Sequence, residues 1–132
     1  MVAIIDIDHF KQINDSLGHQ AGDRVLRDLA AKWRTMLRAD DTIARFGGDE
    51  FVVVLPSCAR DDARAILQRL HDAAPDGVTC SIGSAELQTG DSASMLITRA
   101  DAALYQAKRL GRNRLAWADS QRTRVQPHEL PT

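Results

Sequence analysis

The 132-residue sequence predicts an α/β fold of the α+β-like kind, with a five-stranded mixed β-sheet surrounded by helices. Apolar periodicity gives the element order β-α-α-β-β-α-β-α-β. Two of the predicted strands join through a Gly-Gly turn and lie among βα units, so the sheet contains an antiparallel hairpin and is not purely parallel. A chain of this length suits one domain with a real core. We expect that domain to span residues 1–118.

The first half of the chain begins with an apolar run, Val2–Ile5, which is typical of a strand buried on both faces. Apolar residues at helical spacing then predict a short helix that Gly18 ends and a second helix that begins at Gln20. The segments DTIARF and EFVVVL are predicted strands joined through Gly47 and Gly48.

The second half of the chain alternates helices and strands. A third helix is predicted from the spacing of Ala63, Ile66, Leu67 and Leu70. The segment VTCSIGSAEL predicts a strand, Ser92 is a candidate N-cap for a helix reaching Leu110, and NRLAW predicts a last short strand. The tail, 119–132, is polar and aperiodic, and we expect it to be disordered or to act as a linker.

Composition narrows the class of protein. The formal net charge of −1 gives no basic field for a nucleic acid. Cys58 and Cys80 lack metal-ligand spacing, so we expect reduced thiols in a cytoplasmic protein, with a disulfide as the less favoured alternative. No apolar run approaches the roughly 20 residues that cross a bilayer, so no membrane contact is expected of this domain. The abrupt start suggests a domain of a longer chain, which N-terminal regions could tether to a membrane.

Four acidic residues follow predicted strands or turns: Asp6, Asp8, Asp49 and Glu50. A turn alone would account for the glycines of the hairpin but not for both neighbouring acids. If the first strand is central and the hairpin lies beside it, three or four carboxylates converge at one edge of the sheet. Such clustering is unfavourable unless a cation such as Mg²⁺ is bound. The alternative is that each acid is a solvated turn or cap residue.

Cations and amides form a second pattern. Lys11 follows the first strand, and Lys108 and Arg112 lie four apart at the end of the last helix, where they could neutralise a triphosphate or simply pair with the helix C-terminus. Asn14 and Asp23 could read the edge of a purine, although alone they are a weak signal. The residues therefore indicate a nucleotide triphosphate site with Mg²⁺ on an α/β sheet.

Four blocks of sequence carry a family resemblance. GGDEF at 47–51 resembles the motif of GGDEF domains, the diguanylate cyclases. DIDHFKQINDSLGHQAGD, TCSIG and ADAALYQAKRLGRNRL resemble further blocks of that family, and all occur in family order. The resemblance implies a fold related to the palm of class III nucleotide cyclases and polymerases. It implies condensation of two GTP into cyclic di-GMP, with release of pyrophosphate, by a homodimer in which each subunit holds one GTP.

The resemblance also implies roles by position. Metal binding, by Mg²⁺ or Mn²⁺, would fall to Asp6, the Ile7 carbonyl, Asp49 and Glu50. Catalytic roles would fall to Asp49, Glu50 and Lys11, with the general base left open. The GTP-binding residues would be Phe10, Lys11, Asn14, Asp23, Gly47, Gly48, Lys108 and Arg112.

An inhibitory site is implied by RADD, which places Arg38 and Asp41 in an RxxD arrangement with five residues between Asp41 and Gly47. There Arg38 would hold phosphate and guanine of cyclic di-GMP, Asp41 a guanine edge, and Arg69 would form a secondary arm. A guanidinium fork suits both contacts. Taken alone, Arg38 could equally be a surface cation at a helix end.

The sequence departs from the family pattern in three places. Asp49 stands where Glu is also common, and either residue can bind metal. Phe46 stands where Tyr is frequent. The family's N-terminal block, with its LTGLxNR-like stretch, is absent, so dimerisation and turnover of this polypeptide are open. The alternative function is therefore a catalytically silent GGDEF module that binds cyclic di-GMP or GTP as a regulatory sensor.

Overall fold

A computed structural model describes residues 1–118, and the predicted tail at 119–132 lies outside the described residues. Its nine elements occur in the predicted order. They are β1 (Val2–Ile7), α1 (Phe10–Leu17), α2 (His19–Met36), β2 (Thr42–Arg45), β3 (Glu50–Val54), α3 (Arg60–Asp72), β4 (Cys80–Ala85), α4 (Ala93–Arg109) and β5 (Leu115–Trp117).

The strands form one mixed sheet in the order β2-β3-β1-β4-β5. β1 pairs antiparallel with both β3 and β4, and only β4 and β5 are parallel. Every residue of β1 is buried, as its continuous apolar sequence predicts for a central strand. The five-stranded mixed sheet of the prediction is confirmed.

Helices cover both faces of the sheet. On one face α2 and α3 enclose the larger core, where Trp33 packs edge-on against Phe51 at 5.2 Å and donates its indole N–H to the Leu70 carbonyl at 2.8 Å. On the other face α4 lies so close to β4 that a Cβ on Gly83 would meet the Leu104 amide nitrogen at 2.1 Å. The residue at 83 therefore has to be glycine for this layer to pack.

Two local expectations from the sequence are confirmed. Ser92 caps α4 by accepting a hydrogen bond from the Met95 amide at 3.1 Å. Cys58 and Cys80 are both free thiols, although Cys58 is only half-buried. Among the described residues, no helix combines the length and the apolar character that a bilayer crossing requires.

Candidate active site

The carboxylates of Asp6 and Asp49 lie beside each other where β1 ends. Asp6 pairs with Glu50 across the β1–β3 ladder, and the Ile7 amide donates to the Asp49 carbonyl at 3.1 Å. Because β3 starts at the hairpin turn, this register fixes the turn beside the end of the central strand. Burial, together with the charge of Asp49, raises the pKa of Asp6 from 3.8 to about 6.

Lys108 is the cation that contacts this acidic pair. Its ammonium group forms an ion pair with Asp6 from the last turn of α4. Burial opposes the charge on Lys108, but the hydrogen bond to Asp6 and the charges of Asp6, Glu50 and Asp49 outweigh it and raise the pKa of Lys108. Lys108 thus faces the charges of three carboxylates at this edge of the sheet.

A cavity of about 220 Å³ opens over the acidic pair. Most of the predicted metal and triphosphate residues line it together. They are Asp6, Ile7, Phe10, Lys11, Asp49, Lys108 and Arg112. The Phe10 side chain itself belongs to the core, so at this position only the backbone is free to meet a ligand. Acids and cations on one cavity can hold a metal ion and a phosphate chain side by side.

Asp8 lines the same cavity as Asp6 and Asp49, but its carboxylate has partners of its own. Its carboxylate accepts hydrogen bonds from the Thr79 and Ser81 hydroxyls, both at 2.7 Å, and from the Asn113 amide at 3.0 Å. With these bonds Asp8 fastens the end of β1 to β4 and to the loop before β5. Three of the four predicted acids, Asp6, Asp8 and Asp49, line one cavity at this edge, but the hydrogen bonds to Asp8 leave Asp6 and Asp49 as its acidic pair.

Neither the backbone dihedrals nor the neighbouring atoms require glycine at positions 47 and 48 of the hairpin turn. Neither Gly47 nor Gly48 has a left-handed φ. A Cβ added at Gly48 would meet nothing within 4 Å, and one at Gly47 would only touch Glu50 at 3.9 Å. The expectation that the turn alone accounts for them is therefore wrong, and open space over the backbone at both positions leaves room for a ligand.

Arg45 is a site residue that sequence reasoning missed. Its guanidinium donates to the Gly48 carbonyl at 2.6 Å and to the Gly47 carbonyl at 3.3 Å. These bonds connect the turn to the end of β2. They stabilise the conformation of the turn, which contains no left-handed φ at Gly47 or Gly48. The available signal was a long cation placed two residues before a Gly-Gly turn.

Asn14 and Asp23 lie near each other along α1 and α2, on either side of Gly22. Asn14 lies over Gly22, where an added Cβ would meet the Asn14 side-chain oxygen at 1.8 Å. That oxygen is buried and has no hydrogen-bond partner among the described residues. Asp23, the next residue, lines a separate cavity of about 450 Å³. Unpaired buried oxygens are unfavourable, so this corner fits a ligand that donates hydrogen bonds.

The donor set fits a magnesium-type ion that shares its ligands with a substrate. Within residues 1–118, no three His, Cys, Asp or Glu side chains form a complete cation cluster. Mg²⁺ is usually held by one or two carboxylates, with waters and substrate phosphates completing its octahedron. The acidic pair supplies that number of carboxylates, and burial together with the charge of Asp49 raises the pKa of Asp6 although Lys108 is paired with it.

The predicted inhibitory residues form a second, separate cluster. The Arg38 guanidinium donates to the Asp41 carboxylate at 2.7–3.1 Å, its amide donates to the same group at 2.8 Å, and it reaches the Pro56 carbonyl at 3.0 Å. These bonds lower the pKa of Asp41. Arg69 donates to the Met36 carbonyl at 2.7 Å, which brings α3 to the same corner. Arg38 and Asp41 line a cavity of about 410 Å³.

Comparison with known proteins agrees with this geometry. The family described as "Diguanylate cyclase, GGDEF domain" matches residues 1–114. Diguanylate cyclase DgcP of Pseudomonas aeruginosa is 46% identical over 125 residues, which cover 87% of this chain and 19% of DgcP. Response regulator PleD of Caulobacter vibrioides is 44% identical over 123 residues, which cover 83% of this chain and 27% of PleD.

A solved structure shares the fold. The GGDEF domain of DgcB from Caulobacter crescentus, in complex with c-di-GMP, superposes with a TM-score of 0.83 at 36% identity, covering 90% of this chain and 77% of that one. The chain thus spans about a quarter or less of the curated relatives DgcP and PleD but most of an isolated domain. On the family match, these identities and the shared fold, the chain belongs to the GGDEF domain family of diguanylate cyclases.

Proposed function

We propose that this domain is a diguanylate cyclase that condenses two GTP into cyclic di-GMP and releases two pyrophosphates. The observation that carries the proposal is the adjacency of Asp6 and Asp49 in a cavity that Lys11, Lys108 and Arg112 also line. Acidic side chains beside several cations, of which Lys108 is paired with Asp6, form an arrangement to which a divalent cation and a triphosphate can both be added. Since GTP is the substrate, we place the domain in the cytoplasm.

The triphosphate would lie between Lys11 on α1 and the Lys108–Arg112 pair at the end of α4. The first backbone amides of α1, at Phe10 and Lys11, lack partners within the helix, and such amides bind phosphate well. The guanine would lie at the crossing of α1 and α2. Its N1–H and 2-amino groups are donors that match the unpaired oxygen of Asn14 and the carboxylate of Asp23.

Asp6, Asp49, Glu50 and the Ile7 carbonyl would hold the divalent cation, Mg²⁺ or Mn²⁺. When bound, that ion supplies Lewis-acid stabilisation of the charge on the attacking and leaving oxygens. Arg45 keeps the turn in place, so Asp49 presents its carboxylate from a fixed backbone. The open space over Gly47 and Gly48 lets a nucleotide approach the turn closely.

In the reaction, the 3′-oxygen of one GTP bonds to the α-phosphorus of the other, and the bond from that phosphorus to the β-phosphate's bridging oxygen breaks. Pyrophosphate leaves and the 3′-hydroxyl loses its proton; a second, reciprocal step closes the ring. Each domain holds one GTP, so two copies must face each other as a homodimer. The partner copy thereby supplies the proximity of the two nucleotides.

We further propose that cyclic di-GMP inhibits the enzyme at Arg38, Asp41 and Arg69. The preformed Arg38–Asp41 pair, distinct from the acidic pair, supports this. The same pair favours a second candidate function, in which the domain senses cyclic di-GMP or GTP without making product. The two functions share a binding site and differ only in turnover, so one assay separates them.

The test is GTP turnover against protein concentration with Mg²⁺ present. The cyclase proposal predicts cyclic di-GMP, with a rate that rises faster than linearly with protein where monomer dominates. Calorimetry with cyclic di-GMP follows on the same sample. Binding of cyclic di-GMP with no product, even from chains held together by a fused dimerising coiled coil, would establish the sensor and remove the enzyme.

A further inference from the structure

The loop between α4 and β5 carries Arg112 into the cavity in an unfavourable backbone conformation. Arg112 has φ 65° and Asn113 has φ 52°, two consecutive left-handed residues that are not glycine. Side chains disfavour this region, and such conformations persist only when surrounding contacts hold them. Arg112 is held by its own amide, which donates to the Ala107 carbonyl at 3.0 Å, and by Arg114, which donates to the Arg112 carbonyl at 3.0 Å. Whatever fixes residue 113 is a further support of this left-handed pair.

Asn113 is held from two sides. Its amide donates to Asp8 at 3.0 Å, on the side of β1. On the other side, Nε2 of His71 lies 2.8 Å from the Asn113 side-chain oxygen and donates to it when that nitrogen carries the proton. His71 lies in the last turn of α3 and is 42 residues away in the sequence. α3 thus contacts, through His71, the loop that bears Arg112, although none of the residues lining the cavity comes from α3.

The imidazole ring of His71 is itself oriented by its own helix. Its Nδ1 lies 2.9 Å from the Asp72 carboxylate, and Asp72 accepts a further bond from Gln68 at 2.9 Å. The side chain of His71 is only 15% exposed. Contacts at both nitrogens fix the direction of the ring, so Nε2 is presented to Asn113 rather than left to rotate.

We propose that His71 is a positioning residue for triphosphate binding: by holding Asn113 it fixes the left-handed pair at 112 and 113 and so places the Arg112 guanidinium. The proposal rests on the proposed function, because Arg112 is taken as a triphosphate ligand. It assigns to α3 a role in the nucleotide site that neither the cavity lining nor the sequence motifs contain.

The first measurement needs no nucleotide. Amide hydrogen exchange at Asn113, followed by NMR, reports its bond to Asp8. Replacing His71 by Leu should speed that exchange about fivefold, the factor that one net hydrogen bond supplies. H71Q, which keeps an N–H donor at the end of the side chain, should restore most of the protection. Unchanged exchange at Asn113 in a folded H71L variant would overturn the proposal.

The second measurement uses calorimetry with 3′-deoxy-GTP, which cannot condense, and with 3′-deoxyguanosine, both in Mg²⁺ buffer. H71L should weaken binding of the triphosphate about fivefold and leave binding of the nucleoside unchanged. An equal loss for both ligands would mean a general structural effect and would overturn the positioning role. If H71L fails to fold, N113G removes the same acceptor while tolerating the left-handed backbone and should give the same selective loss.

A double-mutant cycle separates this inference from the proposed function. If His71 acts through Arg112, H71L should add no further loss of triphosphate affinity in an R112A background. Additive losses would overturn the proposal while leaving the triphosphate site intact. If R112A alone leaves triphosphate affinity unchanged, the assigned role of Arg112 fails, and the positioning role of His71 fails with it.

Discussion

The acidic pair and the Arg38–Asp41 pair are both candidate ligand sites, but they differ in how far the chain neutralises its own charges. Asp6 lies beside Asp49 and has a pKa raised to about 6 despite its ion pair with Lys108. Asp41 is buried against Arg38, whose hydrogen bonds lower the pKa of that carboxylate. The fold therefore disfavours the negative charge of Asp6 and stabilises the negative charge of Asp41.

This difference teaches what each site needs from a ligand. The acidic pair becomes favourable when a divalent cation binds, so the ligand completes it. The Arg38–Asp41 pair is already complete, so a ligand has to replace existing hydrogen bonds with new ones and gains less per contact. We therefore expect nucleotide binding at the first site to depend steeply on the divalent cation, and binding at the second to be nearly independent of it.

The largest expected effect is on turnover when Asp49 is replaced by Ala. Removing one carboxylate from the acidic pair costs several kcal/mol of transition-state stabilisation, or about a thousandfold or more in rate. D49E is the matched control, because Glu keeps a carboxylate at this position, and it should retain most of the activity. Cyclic di-GMP formation measures both. Equal activity of D49A and wild type would remove Asp49 from the site.

A smaller effect is expected when Arg38 is replaced by Ala. Turnover should persist, while the cyclic di-GMP concentration that halves it should rise about tenfold or more, since charge-assisted bonds from a guanidinium are lost. R64A is the control, because Arg64 lies against Trp117, away from both sites. Inhibition that is the same in R38A and wild type would contradict the inhibitory assignment.

The carboxylates of Asp6 and Asp41 should have opposite effects on the free energy of unfolding at neutral pH. Because the folded pKa of Asp6 lies above its ordinary 3.8, the fold loses stability as pH rises from about 4 to above 6. D6N removes that loss and should raise the free energy of unfolding at pH 7.5 by roughly 1–2 kcal/mol. D41N should lower it, since the pKa of Asp41 is depressed and its charge stabilises the fold above that range.

Urea unfolding of D6N and D41N in metal-free buffer, at pH 7.5 and at pH 4, measures these differences. The gain for D6N should shrink toward pH 4, where the wild-type carboxyl group is neutral in the folded state and about half neutral in the unfolded state. Destabilisation by D6N at pH 7.5 would show that Asp6 is a structural partner of Lys108 rather than an acid held for a cation.

The smallest effect is expected at Gly48. G48A should change the free energy of unfolding by no more than about 0.5 kcal/mol, because neither a left-handed φ nor a neighbour demands glycine there. It should nevertheless weaken GTP binding if the nucleotide lies over the turn. G83A is the contrasting control and should destabilise by about 1–3 kcal/mol or more through overpacking against α4. A G48A variant as unstable as G83A would contradict a ligand-reserved turn.

Periodicity in the sequence was enough to predict the element order and the proximity of Asp6 to Asp49. A continuous apolar run marks β1 as central, and a hairpin beside a central strand brings its turn to the strand end. Element ends were less well predicted. The segment VTCSIGSAEL suggested a longer strand than the observed Cys80–Ala85, because β-forming residues continue past the paired register.

The hydrogen-bond partners of individual side chains could not be predicted from the sequence. Asp8 bonds with Thr79 and Ser81, which lie more than seventy residues away and carry no periodic signal. The hydrogen bond from Arg45 to the Gly48 carbonyl depends on the direction in which the Arg45 side chain points. The hairpin glycines suggested turn geometry, and only the observed dihedrals and open space show that the local backbone does not demand glycine at 47 and 48.

The central claim is that the acidic pair and the neighbouring cations together form one divalent cation–triphosphate site. Paramagnetic broadening of the NMR spectrum by Mn²⁺, with 3′-deoxy-GTP added in equal amount, tests it most directly. We predict that amide signals at 6–8 and 47–50 broaden with the nucleotide triphosphate, that they broaden far less with 3′-deoxyguanosine, and that D6N abolishes the effect. Broadening centred at Arg38 and Asp41, or none at saturating nucleotide, would contradict the account.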